Sequence, residues 1–128
     1  MTDEMIALAR RAVACKGWRW MLGMLAHDGY RMVWVGDGLH RSFRINGSES
    51  TGWTDQLLPD LTDPATLGCV LAMVREAWSD EYACVLPVDY GPGGIMWVCR
   101  LTATGWPLTR SVWSIEAKAL VAALEAAP

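Results

Sequence analysis

The residues that could carry covalent chemistry in this sequence are two histidines and four cysteines, and they are widely spaced. Neither His27 nor His40 lies near a motif such as G-x-S-x-G, which presents a serine nucleophile at a sharp turn. The cysteines are Cys15, Cys69, Cys84 and Cys99. They form no C-x-x-C pair, and an even count without a secretory signal does not imply disulfides. We therefore expect surface or loop histidines, four buried free thiols, and no metal, cofactor or catalytic site.

The carboxylates and the glycine-rich segment also lack the context that catalysis or phosphate binding needs. Asp60 and Asp63 have the positions of a loop residue and a helix cap, and Asp80-Glu81 follows a predicted helix, where acidic side chains oppose the helix dipole. We interpret that pair as a tolerated surface feature. Phosphate-binding loops place glycines between a strand and a helix. Gly91-Pro92-Gly93-Gly94 instead separates two predicted strands, so we expect a turn.

Tryptophan is the unusual component of the composition, with eight residues beside one Phe and three Tyr. Four of them lie in predicted elements and are expected in the core: Trp34, Trp78, Trp97 and Trp113. The other four lie in irregular stretches, where they either pack at the rim of the sheet or form a contact surface with neighbouring arginines. The candidate macromolecule-binding residues are Trp18, Arg19, Trp20, Arg41, Arg44, Trp53 and Trp106.

Charge is distributed unevenly along the chain. Residues 1–46 contain seven basic and four acidic side chains, whereas residues 49–89 contain eight acidic side chains and one basic. The net charge of −3 and the pI near 5.2 disfavour nucleic acid as the main partner. The acidic region is compatible with ordinary solvated faces and with a surface that meets a charged partner.

The length of 128 residues corresponds to a single domain over residues 1–128. The first residues, Met1-Thr2-Asp3-Glu4, are acidic, whereas a signal peptide begins with positive charge and an apolar stretch. No run approaches the ~20 apolar residues of a membrane span. We expect a soluble protein in the cytoplasm of a bacterial host.

Three segments have the period of amphipathic helices. Thr2 can cap the first, which is predicted over Asp3 to Lys16. Asp63, followed by a proline, can cap the second. The apolar stripe of the second helix is predicted to consist of Leu67, Val70, Leu71, Val74 and Trp78. Ser114 can cap the third, with Ala117, Leu120, Val121 and Leu124 on its apolar face.

Five segments are rich in β-forming residues, and short turns separate most of them. They run from Tyr30 to Val35, Leu39 to Ile45, Tyr82 to Val88, Ile95 to Leu101 and Leu108 to Trp113. Gly36-Asp37-Gly38 predicts a tight hairpin turn, and Asn46 to Asp60 reads as a loop. Apart from Arg100, the fourth segment is apolar on both faces, which predicts a central, covered strand. The order α-β-β-α-β-β-β-α predicts an α+β fold, with a mainly antiparallel sheet of about five strands packed with three helices.

Two segments resemble a group of known proteins. Leu58 to Trp78 is similar to a stretch common in small uncharacterised phage and prophage proteins, and Ser114 to Ala127 resembles the closing helix of the same group. The layout is similar to the phage ABA-sandwich domain, a helix–sheet–helix arrangement. The resemblance covers the second and third helices and implies a phage source and that fold. It brings no established catalytic residues with it.

The expected function is that of a phage or prophage accessory protein without enzymatic activity. It would bind or inhibit a host protein, for example a component of a defence system. Two alternatives stay open: a nucleic-acid-binding module that uses the Trp and Arg surface, and a small homo-oligomer that pairs through a sheet edge or a loop tryptophan. No cofactor and no membrane partner are expected.

Overall fold

A computed structural model describes residues 2–35, 38–41, 57–89, 91–102 and 113–128, with the backbone alone for residues 34, 35 and 38–41. The fold is α+β. Its described elements are helix α1 (Asp3–Val13), strands β1 (Met32–Val35) and β2 (Gly38–Arg41), helix α2 (Pro64–Ala77), strands β3 (Cys84–Asp89) and β4 (Ile95–Arg100), and helix α3 (Glu116–Glu125). A turn of 3-10 helix, Gly91–Gly93, connects β3 to β4.

Helix α1 begins as predicted but ends earlier. The Thr2 hydroxyl accepts a hydrogen bond from the Met5 amide at 3.2 Å, and acidic residues in the first turn and basic residues in the last turn suit the helix dipole. The helix ends at Val13 rather than Lys16, because the Cys15 amide turns back to the carbonyl of Ala12 in a tighter turn.

Helix α2 has the predicted cap and an apolar face that is rotated from the predicted one. The Asp63 carboxylate accepts from the Thr66 amide at 2.9 Å, and proline occupies the first turn. Val70 and Val74 are fully buried as predicted, but Thr66 and Met73 are buried with them. The rest of the predicted stripe packs half-buried at the margin of the core: Leu67, Leu71 and Trp78. The face is rotated because the segment before β1 covers the side of α2 that carries Thr66 and Met73.

The C-terminal end of α2 is closed by a Schellman motif. The Asp80 amide donates to the carbonyl of Arg75 at 2.8 Å, and the Ser79 amide donates to the carbonyl of Glu76 at 3.1 Å. Ser79 has a φ of 50°, the left-handed conformation that glycine usually supplies at this position. The chain therefore reverses direction directly after the helix and enters β3.

The first hairpin pairs β1 with β2 in antiparallel register, from Met32 opposite Arg41 to Val35 opposite Gly38. This confirms the predicted hairpin as far as Arg41. The turn residues 36 and 37, the second arm beyond Arg41 and most of the predicted loop to Asp60 lie outside the described residues.

Two isolated antiparallel bridges, which the sequence analysis did not predict, precede and flank this hairpin. Leu25 pairs with Arg31 and Ala26 pairs with Pro59. Gly29, at φ 90°, forms the intervening turn, in which the Ala26 amide donates to the carbonyl of Tyr30 at 2.8 Å. The irregular stretch that contains Trp18 and Trp20 thus leads into a short extended segment, which lies between β1 and residue 59.

The second hairpin pairs β3 with β4 in antiparallel register, from Cys84 opposite Arg100 to Asp89 opposite Ile95. One bridge joins Trp97 to Trp113 on the far side of β4. The described strands therefore form two small antiparallel pairs, and the predicted sheet of about five strands is not confirmed. Residues 108–112 of the fifth predicted strand lie outside the described residues. The prediction of a covered β4 holds for Val98 and Cys99, whereas Ile95 at the start of the strand is exposed.

Helix α3 lies at the centre of the packing and contacts α1, α2, β3 and β4. Its predicted apolar face is buried as expected: Ala117, Leu120, Val121 and Leu124. The predicted cap at Ser114 is wrong. Ile115 is the N-cap residue, without a side-chain hydrogen bond, because its extended backbone delays the helix by one residue. Gly17 meets α3 closely, since a Cβ atom there would lie 3.2 Å from Leu124 Cδ1.

Candidate macromolecule-binding surface

The segment from Trp18 to Leu25 runs along α2 from its C-terminal end towards its N-terminal end. The Arg19 amide contacts Met73 Sδ at 3.3 Å, the Cys69 thiol contacts the carbonyl of Leu22 at 3.6 Å, and the Leu25 amide donates to Thr66 Oγ1 at 2.9 Å. Contacts with three successive turns of the helix fix the course of this irregular segment. The side chains of the segment therefore project from a backbone that is held against α2 at three points.

Trp18 and Trp20 form an edge-to-face pair on this segment. Their ring centroids lie 5.7 Å apart, with an angle of 85° between the planes, a favourable aromatic geometry. Both side chains are half-buried and pack against the core. The Trp18 indole nitrogen is buried and finds no hydrogen-bond acceptor among the described residues. The inner side of the pair thus packs against the core, while its outer side stays partly accessible.

Arg19, between the two indoles, points away from the core and forms an ion pair. Its Nη2 atom lies 2.6 Å from Glu76 Oε2, and the two side chains are 47% and 66% exposed. An exposed pair of this kind contributes about 0–1 kcal/mol, so it directs the guanidinium more than it stabilises the fold. The side chain remains accessible to a partner.

Leu22, two residues further along the segment, is also exposed, and the sequence analysis did not single it out. Its large apolar side chain is 61% exposed, and it lies in the turn completed by Gly23 at φ 90°. No local signal in the sequence indicates it, since its exposure depends on how the segment lies against α2. We define the Trp-Arg surface as Trp18, Arg19, Trp20 and Leu22.

The structure does not place the other predicted site residues on this surface. Arg41 ends β2, and its side chain is not among those described. Arg44, Trp53 and Trp106 lie outside the described residues. Three of the seven predicted residues are therefore brought together, and the position of the other four stays a prediction.

Several basic side chains that could have extended a phosphate-binding face are paired with carboxylates. Arg11 forms a two-pronged contact with Glu125, at 2.5 and 3.2 Å, and hydrogen bonding to Glu125 raises the pKa of Arg11 further. Lys118 pairs with Glu4. Each such pair removes positive potential from the surface around the helices.

A network of hydrogen bonds at the start of α2 holds the far end of the segment. Arg31 binds the two oxygens of Asp63 at 3.1 and 3.2 Å and donates to the carbonyl of Gly23 at 2.6 Å. The Thr66 hydroxyl donates to Asp63 at 2.9 Å while accepting from the Leu25 amide. Hydrogen bonding to the Arg31 guanidinium lowers the pKa of Asp63, and burial of the carboxylate opposes this only in part.

Asp80 contradicts the prediction of a tolerated surface carboxylate. It is 6% exposed, and its oxygens accept from the Thr102 amide and hydroxyl, each at 2.7 Å, and from the Tyr82 amide at 3.1 Å. The sequence argument failed because it considered the helix dipole alone, whereas these donors come from the loop before β3 and from Thr102, after β4. Asp80 lies beneath an open depression of about 510 Å³ that includes Arg75, Glu76 and the exposed Tyr82.

The histidines and thiols show no nucleophile–base pair among the described side chains. His27 lies on an exposed turn, as expected, with its Nδ1 atom 3.2 Å from the Leu58 amide. The four cysteines are free. Only Cys99 is buried, and burial raises its pKa to about 11; the other three are half-buried, which corrects the expectation of four buried thiols. No cluster of three metal-binding side chains occurs within the described ranges.

Comparisons with known proteins return no match: no family model, no curated protein and no solved structure is similar to this chain. Among the helices of the described residues, none has the length and apolar character needed to cross a membrane.

Proposed function

We propose that this protein is a phage or prophage accessory protein without enzymatic activity, which binds and inhibits a host protein through the Trp-Arg surface. A component of a host defence system is a target of the expected kind. The phage origin rests on the resemblance of the α2 and α3 segments, and the cytoplasmic location of the complex follows from it. The observation that carries the binding proposal is the edge-to-face Trp18–Trp20 pair beside exposed Arg19 and Leu22.

The physical argument starts from the cost of binding. A side chain that becomes ordered on association loses rotamer freedom, which costs about 0.5–1.5 kcal/mol for each rotamer-rich group. The two indoles restrict each other, and the contacts of Arg19 and Leu25 with α2 hold the backbone between them and after them. The surface therefore loses little freedom when a partner covers it. Tryptophan and arginine are also the residue types most enriched at binding hot spots.

A nucleic-acid-binding module is the second candidate, and the accessible part of the Trp pair is the observation that favours it. An exposed indole face can stack on an unpaired base, and Arg19 could contact a phosphate. The ion pairs of Arg19 with Glu76 and of Arg11 with Glu125 weigh against this candidate, as does the net charge of −3. A protein partner accommodates such mixed charge more readily than a polyanion does.

The test is capture of partners from bacterial host lysate with the tagged protein, with and without nuclease, at low and moderate salt. Two variants form a matched pair: Leu22→Ser removes an aliphatic side chain that is 61% exposed on the Trp-Arg surface, and Ile95→Ser removes one that is 55% exposed on β4. We expect a stoichiometric protein partner that resists nuclease and moderate salt. Leu22→Ser should weaken its affinity at least tenfold, whereas Ile95→Ser should leave it unchanged.

Equal affinity of both variants for the partner would exclude the Trp-Arg surface as the binding site. Recovery of DNA or RNA that is lost on nuclease treatment, with an affinity that falls steeply with salt, would favour the nucleic-acid-binding module instead. In that case Trp20→Ala should lower the affinity for single strands of any sequence, because it removes a stacking platform.

A further inference from the structure

The orientation of the backbone groups along β3 follows from the bridge on the far side of β4. The Trp97 amide donates to the carbonyl of Trp113 at 2.7 Å, and the Trp113 amide donates to the carbonyl of Trp97 at 2.9 Å. Both backbone groups of Trp97 therefore point away from β3. Pro87 lies directly opposite Trp97, and in an antiparallel pair the two residues opposite each other are either both hydrogen-bonded across the ladder or both directed outwards. The backbone of Pro87 thus faces the outer edge of β3.

The same alternation fixes the direction of the backbone N–H and C=O groups of every residue of β3. Cys84, Leu86 and Val88 direct their backbone groups towards β4, and Val85, Pro87 and Asp89 direct theirs outwards. Among the described residues no other strand pairs with that outer edge, and the side chains of Leu86 and Pro87 are exposed there. An edge of this kind ordinarily offers a template for an added strand.

Pro87 lies at the middle of the three outward positions. Proline has no amide hydrogen, and its ring occupies the space that a donor would need on that side. An approaching strand would find donors at Val85 and Asp89 alone, with the proline ring between them. The central hydrogen bond is missing and the approach of the second backbone is hindered at that point.

The occupant that this arrangement excludes is a second copy of the chain. Two β3 strands related by a twofold axis would meet at residue 87, with Val85 of each copy opposite residue 89 of the other, so that the edge is self-complementary except at its centre. We infer that Pro87 closes the outer edge of β3 to pairing with a second copy, and that this single residue keeps the β3–β4 hairpin from joining two molecules into one sheet.

The experiment compares Pro87→Val with Leu86→Val on the full chain. Both variants place a valine in an exposed part of β3, but only the first adds an amide hydrogen on the outer edge. The molar mass is measured by light scattering after size exclusion, over a hundredfold range of concentration. We expect the wild-type chain and Leu86→Val to form no dimer through this edge and to remain at the monomer mass of 14.1 kDa. The mass of Pro87→Val should shift towards twice that value as concentration rises.

Amide hydrogen exchange on the wild-type chain provides a test that does not depend on folding of the variant. The amides of Leu86 and Val88 should exchange slowly and those of Val85 and Asp89 rapidly. Protection of Val85 and Asp89 in a wild-type dimer would overturn the inference, because the edge would already be paired. A Pro87→Val chain that folds, as judged by circular dichroism, yet stays monomeric at every concentration would overturn it as well.

Discussion

At the scale of single residues, two tryptophans show how the same side chain has opposite hydrogen-bonding states in one core. The Trp78 indole nitrogen donates to the carbonyl of Ala123 at 2.9 Å and so ties α2 to α3. The Trp18 indole nitrogen is buried, but it has no acceptor among the described residues. An unpaired buried donor costs about 1–3 kcal/mol, so Trp18 retains its place through the packing of its ring.

This difference predicts the outcome of two identical substitutions. Trp18→Phe removes an unsatisfied donor while keeping an aromatic ring beside Trp20. The free energy gained by removing that donor offsets part of the packing energy lost with the smaller ring. Trp78→Phe loses the same volume and also leaves the Ala123 carbonyl without its donor. We expect Trp78→Phe to lower the free energy of unfolding by about 1–2 kcal/mol more than Trp18→Phe does. Urea unfolding followed by far-ultraviolet circular dichroism measures this difference, and equal losses would contradict it.

At the scale of the elements, the first turn of α2 connects three separate stretches of chain. Asp63 caps the helix, binds Arg31 next to β1, and accepts from Thr66, whose hydroxyl in turn holds Leu25. A helix cap is a local feature, and the sequence is sufficient to predict it. The further partners come from distant positions in the chain, and a single sequence contains no local signal for them.

The Asp63 carboxylate predicts how stability depends on pH. Its pKa is lowered in the folded chain from an ordinary value of 3.8, chiefly by Arg31, so the unfolded chain binds a proton more readily. The stabilisation is therefore complete above pH 3.8 and is lost as pH falls through the lower, folded pKa. In Asp63→Asn we expect a free energy of unfolding lower by about 0.5–2 kcal/mol at pH 7 and a shallower loss below pH 4.

Urea titrations at intervals between pH 2 and pH 7 measure both quantities. Asp60→Asn is the matched control, because Asp60 accepts from its neighbour Thr62 within an exposed turn and binds no arginine in the described structure. If the wild-type chain and Asp63→Asn lost stability in parallel on acidification, the ion pair with Arg31 would not contribute.

The extent to which elements could be predicted depends on how local their signals are. The starts of α1 and α2 and the two described hairpins were predictable, because caps and turns are encoded by neighbouring residues. The rotated face of α2 was not, since it depends on the segment that covers Met73 and Thr66 from outside the helix. For the same reason, Trp18, Arg19 and Trp20 could be selected by residue type, whereas Leu22 and the carboxylate of Glu76 required the three-dimensional arrangement.

At the scale of the whole molecule, α1, α2 and the β3–β4 hairpin converge on α3, and the loop that follows α2 also joins α2 to that hairpin. Helix α3 is rich in alanine, and small side chains allow α1, α2 and the β3–β4 hairpin to pack closely around it. The loop after α2 provides the second point of connection. There Arg75 donates to the carbonyl of Ala83 at 2.8 Å, and Asp80 accepts from Thr102 after β4.

Asp80 is therefore expected to affect the molecule as a whole. Removal of its buried carboxylate by Asp80→Ala leaves the part-buried amides of Tyr82 and Thr102 without their acceptor, at about 1–3 kcal/mol for each unsatisfied group. We expect a loss of about 2–4 kcal/mol in the free energy of unfolding, with increased amide exchange in β3 and β4 together.

The neighbouring substitution Glu81→Ala removes the same charge type from an exposed position and should change stability by less than about 0.5 kcal/mol. Equal effects of the two substitutions would mean that Asp80 acts through charge alone. A large effect confined to Asp80→Ala would establish that its hydrogen bonds join α2 to both strands of the second hairpin.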